Sequence, residues 1–152
     1  MLAPVAVFTY NRRDEAVKVM DALSTNLLAK KTEVYVFSNA PIAGKEGDRE
    51  IVAAIRSDLK KYEKSFLNYH LIFRDENNGS NDNMLSGIDE VVRRHGKAIV
   101  LEDDVLVAKS FLNFMNQALD KYEDDKKVFS ICGYNPIAHQ TKLEGDSFSY
   151  GR

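Results

Sequence analysis

Three acids stand side by side at Glu102, Asp103 and Asp104. Neighbouring carboxylates repel, and the repulsion grows as the local dielectric falls. A divalent cation relieves it, and Mg²⁺ or Mn²⁺ prefers hard oxygen ligands of this kind. A pair of adjacent acids taken alone is more often a solvated turn. The flanking residues argue for a site instead. Ala98-Ile99-Val100-Leu101 runs into the acids without a polar interruption, and Val105-Leu106-Val107 follows them. An unbroken apolar run suits a parallel strand covered on both faces. The acids then fall at its carboxyl end, the edge where open α/β sheets bind ligands. His70, His95 and His139 show no metal-ligand spacing and carry no expected role.

The elements that must position the acids can be read in order. Val5 to Tyr10 is β-branched and aromatic, a strand. Asn11 to Asp14 breaks it and supplies a helix cap, and Ala16, Val19, Met20 and Leu23 follow at helical spacing. Thr32 to Ser38 reads as a second strand. Asp48 is expected to cap the next helix, with Ile51, Val52, Ile55, Leu59 and Tyr62 on its buried face. Tyr69 to Arg74 is a third strand. Asp75 to Asn83 is a polar turn in which Asn78-Gly79 takes positive φ and Ser80 or Asn81 caps a helix. That helix packs through Leu85, Ile88 and Val92 and stops at His95-Gly96. After the central strand, Ser110 caps a helix with Phe111, Phe114, Met115, Ala118 and Tyr122 on one face, a stripe that reads as core. Val128 to Cys132 is expected to be a last strand, followed by Gly133 to Pro136 and an aperiodic tail. Alternating strands and helices imply an α/β sandwich with a mainly parallel sheet.

Composition fits one soluble globular domain. The chain has 152 residues, 44% apolar and 29% charged, with a net charge of −2. Its basic pairs are dispersed among acids, so no nucleic-acid stripe is expected. Cys132 is the only cysteine, which excludes an internal disulfide; in an apolar strand it is expected to be buried and inert. No apolar run is long enough to cross a membrane, and Leu2 to Tyr10 lacks the basic start of a secretory signal. The expected location is cytoplasmic, with peripheral attachment to a membrane left open.

Over roughly Pro4 to Pro136 the chain resembles the nucleotide-sugar-binding half of inverting GT-A fold glycosyltransferases. Thr9-Tyr10-Asn11-Arg12 and the Asn77 to Asn83 turn are similar to family 2 members. Glu102-Asp103-Asp104, with Val107-Ala108, Phe111 and Phe114 behind it, resembles the N-acetylglucosaminyltransferase I family, and is the more specific signal. The resemblance implies a Rossmann-like three-layer sandwich of GT-A type, truncated. Residues 1–136 would form the nucleotide-sugar-binding domain, and 137–152 a tail leading to an acceptor-binding part absent from this chain. It also implies that the acidic triplet is a D-x-D-type motif. Asp104 would bind Mn²⁺ or Mg²⁺ directly, Asp103 would lie near the ribose or metal, and Glu102 would support them. Thr9, Tyr10 and Arg12 would line the base or phosphates, with Arg74 near the base. The family usually has an aspartate after the second strand to read uracil or ribose. Here Asn39 stands in Ser38-Asn39-Ala40, and an amide can both donate and accept.

The implied activity is metal-dependent transfer of a glycosyl group from a nucleotide-diphospho-sugar, a UDP-sugar in the first instance, to a carbohydrate or other acceptor. An inverting transferase needs a general base for the acceptor hydroxyl. The only late carboxylates are Glu144 and Asp146, in the aperiodic tail, so this chain is expected to bind donor without transferring sugar. Two other classes compete. A sugar-phosphate nucleotidyltransferase would want a glycine-rich loop after the first strand, and Thr9 to Arg13 has no glycine. A non-catalytic interaction domain could keep the fold without turnover. A receiver domain places its paired aspartates after the first strand, whereas here they follow the fourth.

Overall fold

β-branched and aromatic residues fit a pleated, buried surface, and four such runs form one sheet. They are β1 (Val5–Thr9), β2 (Glu33–Ser38), β3 (Asn68–Phe73) and β4 (Ile99–Glu102). The structure, a computed structural model, describes residues 1–134. The expected tail from 137, with His139, Glu144 and Asp146, lies outside the described residues, as do Asn135 and Pro136. The strand order is β3-β2-β1-β4 and every pairing is parallel. Val7 of β1 stands opposite Val36 on one side and Leu101 on the other.

Each parallel pair needs a crossover, here the helices α1 (Arg13–Ser24), α2 (Asp48–Leu59) and α3 (Ser80–His95). Right-handed crossovers that step the same way place their helices on one face of the sheet. The steps from β1 to β2 and from β2 to β3 run one way. The step from β3 to β4 runs back past β1 and places α3 on the opposite face. The packing agrees. Val5, Val7, Val34, Val36, Ile99 and Leu101 meet Met20 and Leu23 of α1, Ile55 and Leu59 of α2, and Leu112 and Met115 of the last helix, α4 (Phe111–Lys121). Ala6, Phe8, Tyr35 and Phe37 point the other way, onto Met84, Ile88 and Val91 of α3. The result is the expected three-layer α/β sandwich. Each fully buried aliphatic or aromatic side chain contributes about 1.5–3 kcal/mol.

α3 comes close to the sheet at Gly87. A Cβ there would lie 2.6 Å from Phe8 Cε1, and the Phe8 ring is itself stacked on Phe37 at 5.1 Å. Gly87 therefore shifts the phase of the buried face. The expected contacts Leu85 and Val92 are exposed, and Asn83, Gly87 and Val91 are buried in their place. The ends of α3 are glycines in conformations that side chains rarely adopt, Gly79 (φ 91°) and Gly96 (φ 77°).

Several expectations are corrected. Among the described residues β4 is an edge strand, not a central one, and only one face is covered: Val100 and Glu102 are exposed because α3 packs over β1 and β2. Ile51 of α2 is exposed. No side-chain cap forms at Arg12, Gly79 or Ser110. At α4 the work is done from a distance, where buried Asn26 accepts the Leu112 N–H through Oδ1 and donates to Ala108 O. Val128 to Cys132 pairs with no strand among the described residues; Phe129 and Cys132 are exposed, and the Val128 N–H closes a turn onto Asp125 O. No described helix is long and apolar enough to cross a membrane.

Candidate functional site

Four parallel strands end on one edge, so the sheet gathers residues distant in sequence. β1 delivers Tyr10, Asn11 and Arg12 there, β2 Asn39, β3 Arg74, and β4 Asp103 and Asp104. From β1 the chain steps out to β2 and β3, then crosses back past β1 to lay β4 on its other side. The crevice between β1 and β4 is therefore the topological switch point, where open α/β sheets bind ligands.

The acids stand at this crevice and are partly neutralised from within the chain. Arg12 Nη2 lies 2.6 Å from Asp103 Oδ1, and Arg12 Nη1 lies 2.7 Å from Asp104 Oδ2. The Tyr10 N–H donates to Asp103 Oδ2 at 3.2 Å. Asp103 is buried while Arg12 and Asp104 are half-exposed. Burial pushes the Asp103 carboxyl above the usual range, and the Asp104 charge adds to it; the Tyr10 N–H and Arg12 act against it without prevailing. The charge of Asp103 raises the Arg12 guanidinium most; burial works against it, and the hydrogen bond and charge of Asp104 add to the rise. Glu102 is exposed on the uncovered face of β4. Thr9 is buried, its hydroxyl has no partner among the described residues, and its carbonyl accepts the Asn39 N–H.

A second carboxylate at the same edge was expected only as a helix cap. Asp48 is fully buried at the start of α2, and four donors converge on it. Tyr10 Oη–H donates to Oδ2 at 2.5 Å and Asn11 Nδ2 to Oδ1 at 2.8 Å. The Ile42 N–H donates to Oδ2 at 2.7 Å, and Lys45 Nζ lies 3.1 Å from Oδ1. Burial pushes this carboxyl upward, but the donors outweigh it and hold it well below the usual carboxylate range. Lys45 Nζ also sits over the Tyr10 ring, 5.2 Å from its centroid. The sequence offered one signal: Tyr10 and Asn11 are polar side chains directly after a buried strand, and such groups need partners.

Asn39 and Arg74 come together on the β2–β3 side, apart from the acids. Buried Asn39 spends its amide on the chain: Oδ1 accepts the Ala40 N–H, and Nδ2 donates to Asn77 Oδ1 and Gly79 O. Arg74 donates to Asn83 Oδ1 and Ser86 Oγ and stands over the Phe37 ring at 5.2 Å. Between them is an open depression of about 240 Å³, lined also by Asn78 and Asp82. Beneath it, Arg56 donates to the carbonyls of Ser38, Asn39 and Arg74, tying the ends of β2 and β3. Nothing in the sequence pattern singled Arg56 out.

Neither a protein-family model nor a curated protein sequence matches the chain. Among solved structures, S. aureus TarS 1–349 is similar, with a TM-score of 0.57 and 15% sequence identity. The match covers 81% of this chain and 33% of that one, so the chain spans about a third of the structure it resembles. At this identity the likeness is one of fold. The chain shares the α/β fold of that structure over most of its length.

Proposed function

We propose that this chain is the nucleotide-sugar-binding part of a glycosyltransferase, one that moves a glycosyl group from a nucleotide-diphospho-sugar to a carbohydrate or other acceptor with inversion. The observation that carries the reading is the convergence of Asp103, Asp104 and Arg12 at the switch point of a glycosyltransferase-like fold. Tyr10 and Arg12 face the donor from β1, Arg74 and the depression beside Asn39 serve its base or ribose, and Thr9 backs the site from within the sheet.

The donor set suits a hard divalent cation. Among the described residues no group of three or more His, Cys, Asp or Glu side chains could hold a metal. Mg²⁺ and Mn²⁺ do not require one, since they bind through one or two carboxylates and complete their shell with waters and substrate phosphates. Asp104 would hold the ion, with Asp103 beside it. A cation there supplies Lewis-acid stabilisation of the departing nucleoside diphosphate. Arg12, half-exposed on a flexible stem, is near enough to turn from the acids to the phosphates, where a guanidinium makes charge-assisted hydrogen bonds. Asn39, whose amide also supports the β3–α3 turn, lines the depression proposed for the base or ribose. The donor proposed first remains a UDP-sugar.

Calorimetry with UDP tests this. Mn²⁺ should tighten UDP binding, and Asp104→Asn should remove most of that gain while leaving the fold intact, because Asp104 is half-exposed at a strand end. Equal UDP affinity in Mn²⁺ and in chelator would sink the metal-dependent reading.

A further inference from the structure

We propose that Asp48 is the positioning residue of this site: its buried carboxylate fixes the loop through which β1 presents Tyr10 and Arg12 to the acids. The inference rests on the nucleotide-sugar reading above and adds to it a residue that touches neither the acids nor the ligand. The ordinary role of an acid in the first turn of a helix is to complement the helix dipole from an exposed position. That role requires neither full burial nor four donors, and Asp48 has both.

The donors come from two loops. Tyr10 and Asn11 belong to the connection between β1 and α1, and Ile42 and Lys45 to the connection between β2 and α2. Both connections run along the carboxyl edge, and Asp48 joins them. Tyr10 is held at both ends. Its hydroxyl donates to Asp48 Oδ2 and its backbone N–H donates to Asp103 Oδ2. It is thus a strut between two aspartates, and Arg12 departs two residues further on to reach both acids. Freed from Asp48, the Tyr10 ring keeps only the exposed Lys45 ammonium, and the guanidinium of Arg12 loses its fixed origin. A misplacement of about 1 Å in a binding group is enough to degrade a polar site.

The test is a double-mutant cycle on Asp48→Asn and Tyr10→Phe, read by UDP calorimetry in Mn²⁺ and by hydrogen exchange of the Tyr10 amide. Each single variant should weaken UDP about tenfold. The double variant should be little worse than either, because both cut the same strut. The Tyr10 amide should exchange faster in both single variants at temperatures well below unfolding. A purely structural role would lower thermal stability, leave UDP affinity near wild type in the folded protein and leave that amide protected. If Asp48→Asn does not fold, Tyr10→Phe alone decides: unchanged protection of the Tyr10 amide overturns the strut. Wild-type protein without affinity for UDP would overturn the nucleotide reading and this inference together. Wild-type binding that Asp48→Asn leaves intact would overturn the role of Asp48 alone.

Discussion

Asp48 and Asp103 are both buried at the same sheet edge, yet the protein holds them in opposite ways. Asp48 faces burial with four donors, and its carboxyl is held well below the usual range. Asp103 faces burial with one backbone N–H and one half-exposed guanidinium, beside a second acid, and is pushed above that range. Tyr10 contacts both, through its hydroxyl and its backbone. A buried carboxylate whose acceptor sites are filled stabilises the loops around it. One whose charge is still costly gains most from an added cation. The first arrangement suits a scaffold, and the second suits the cation site proposed above.

The strongest way to break this comparison is to remove each acid in turn. Asp48→Ala strands several donors, at least one of them a backbone N–H, and should cost about 3 kcal/mol by chemical denaturation. Asp103→Asn should change stability by less than about 1 kcal/mol, because it also removes the repulsion from Asp104. Equal losses would erase the contrast. The Asp48 loss carries a pH signature. Its carboxyl is depressed in the folded state, so its contribution is present above the ordinary carboxylate pKa and lost as pH falls below it toward the folded value. Acid unfolding of wild type should therefore be steeper than that of Asp48→Asn.

Arg12→Ala attacks the other side. If the guanidinium meets the diphosphate, each charge-assisted bond is worth ~1.5–3 kcal/mol, so UDP binding should weaken roughly tenfold or more. An unchanged calorimetric affinity would confine Arg12 to neutralising the acids. The smallest effect is the most selective. Asp103 is raised in the folded state, so its contribution is present below the ordinary carboxylate pKa and lost as pH rises through the folded value. Denaturation midpoints of wild type should fall slightly across that window, with the opposite sign to Asp48, and Asp103→Asn should abolish the fall. A wild-type midpoint that rises there would reverse the assignment.

The sheet was legible because its signals are local. Val5 to Thr9 and Glu33 to Ser38 carry their strand character in side-chain type alone, and Gly79 and Gly96 mark the ends of α3 by backbone permissiveness. That Arg12, Asp103 and Asp104 share the carboxyl edge of the sheet followed from parallel topology, which alternation implies. What escaped depends on tertiary partners. Asp48 looks like a cap because its four donors lie in loops 3–38 residues away. The ion pairs of Arg12 with Asp103 and Asp104 escaped because the acids lie far along the chain. The buried face of α3 is misread because its contact residue is Gly87, which no hydrophobic pattern registers. Val128 to Cys132 has strand composition but no neighbour to pair with among the described residues.

Gly87 also has a bearing on the ligand side of the molecule. The first turns of α3 bring Asn83 to Arg74, and Gly79, just before them, accepts from Asn39, so one wall of the open depression rides on this helix. The clearance between α3 and the Phe8 ring fixes how high that wall stands. A methyl group added two turns along the helix, against the Phe8 and Phe37 rings, would raise the wall from below. The width of the depression is thus calibrated inside the core, by an absent side chain.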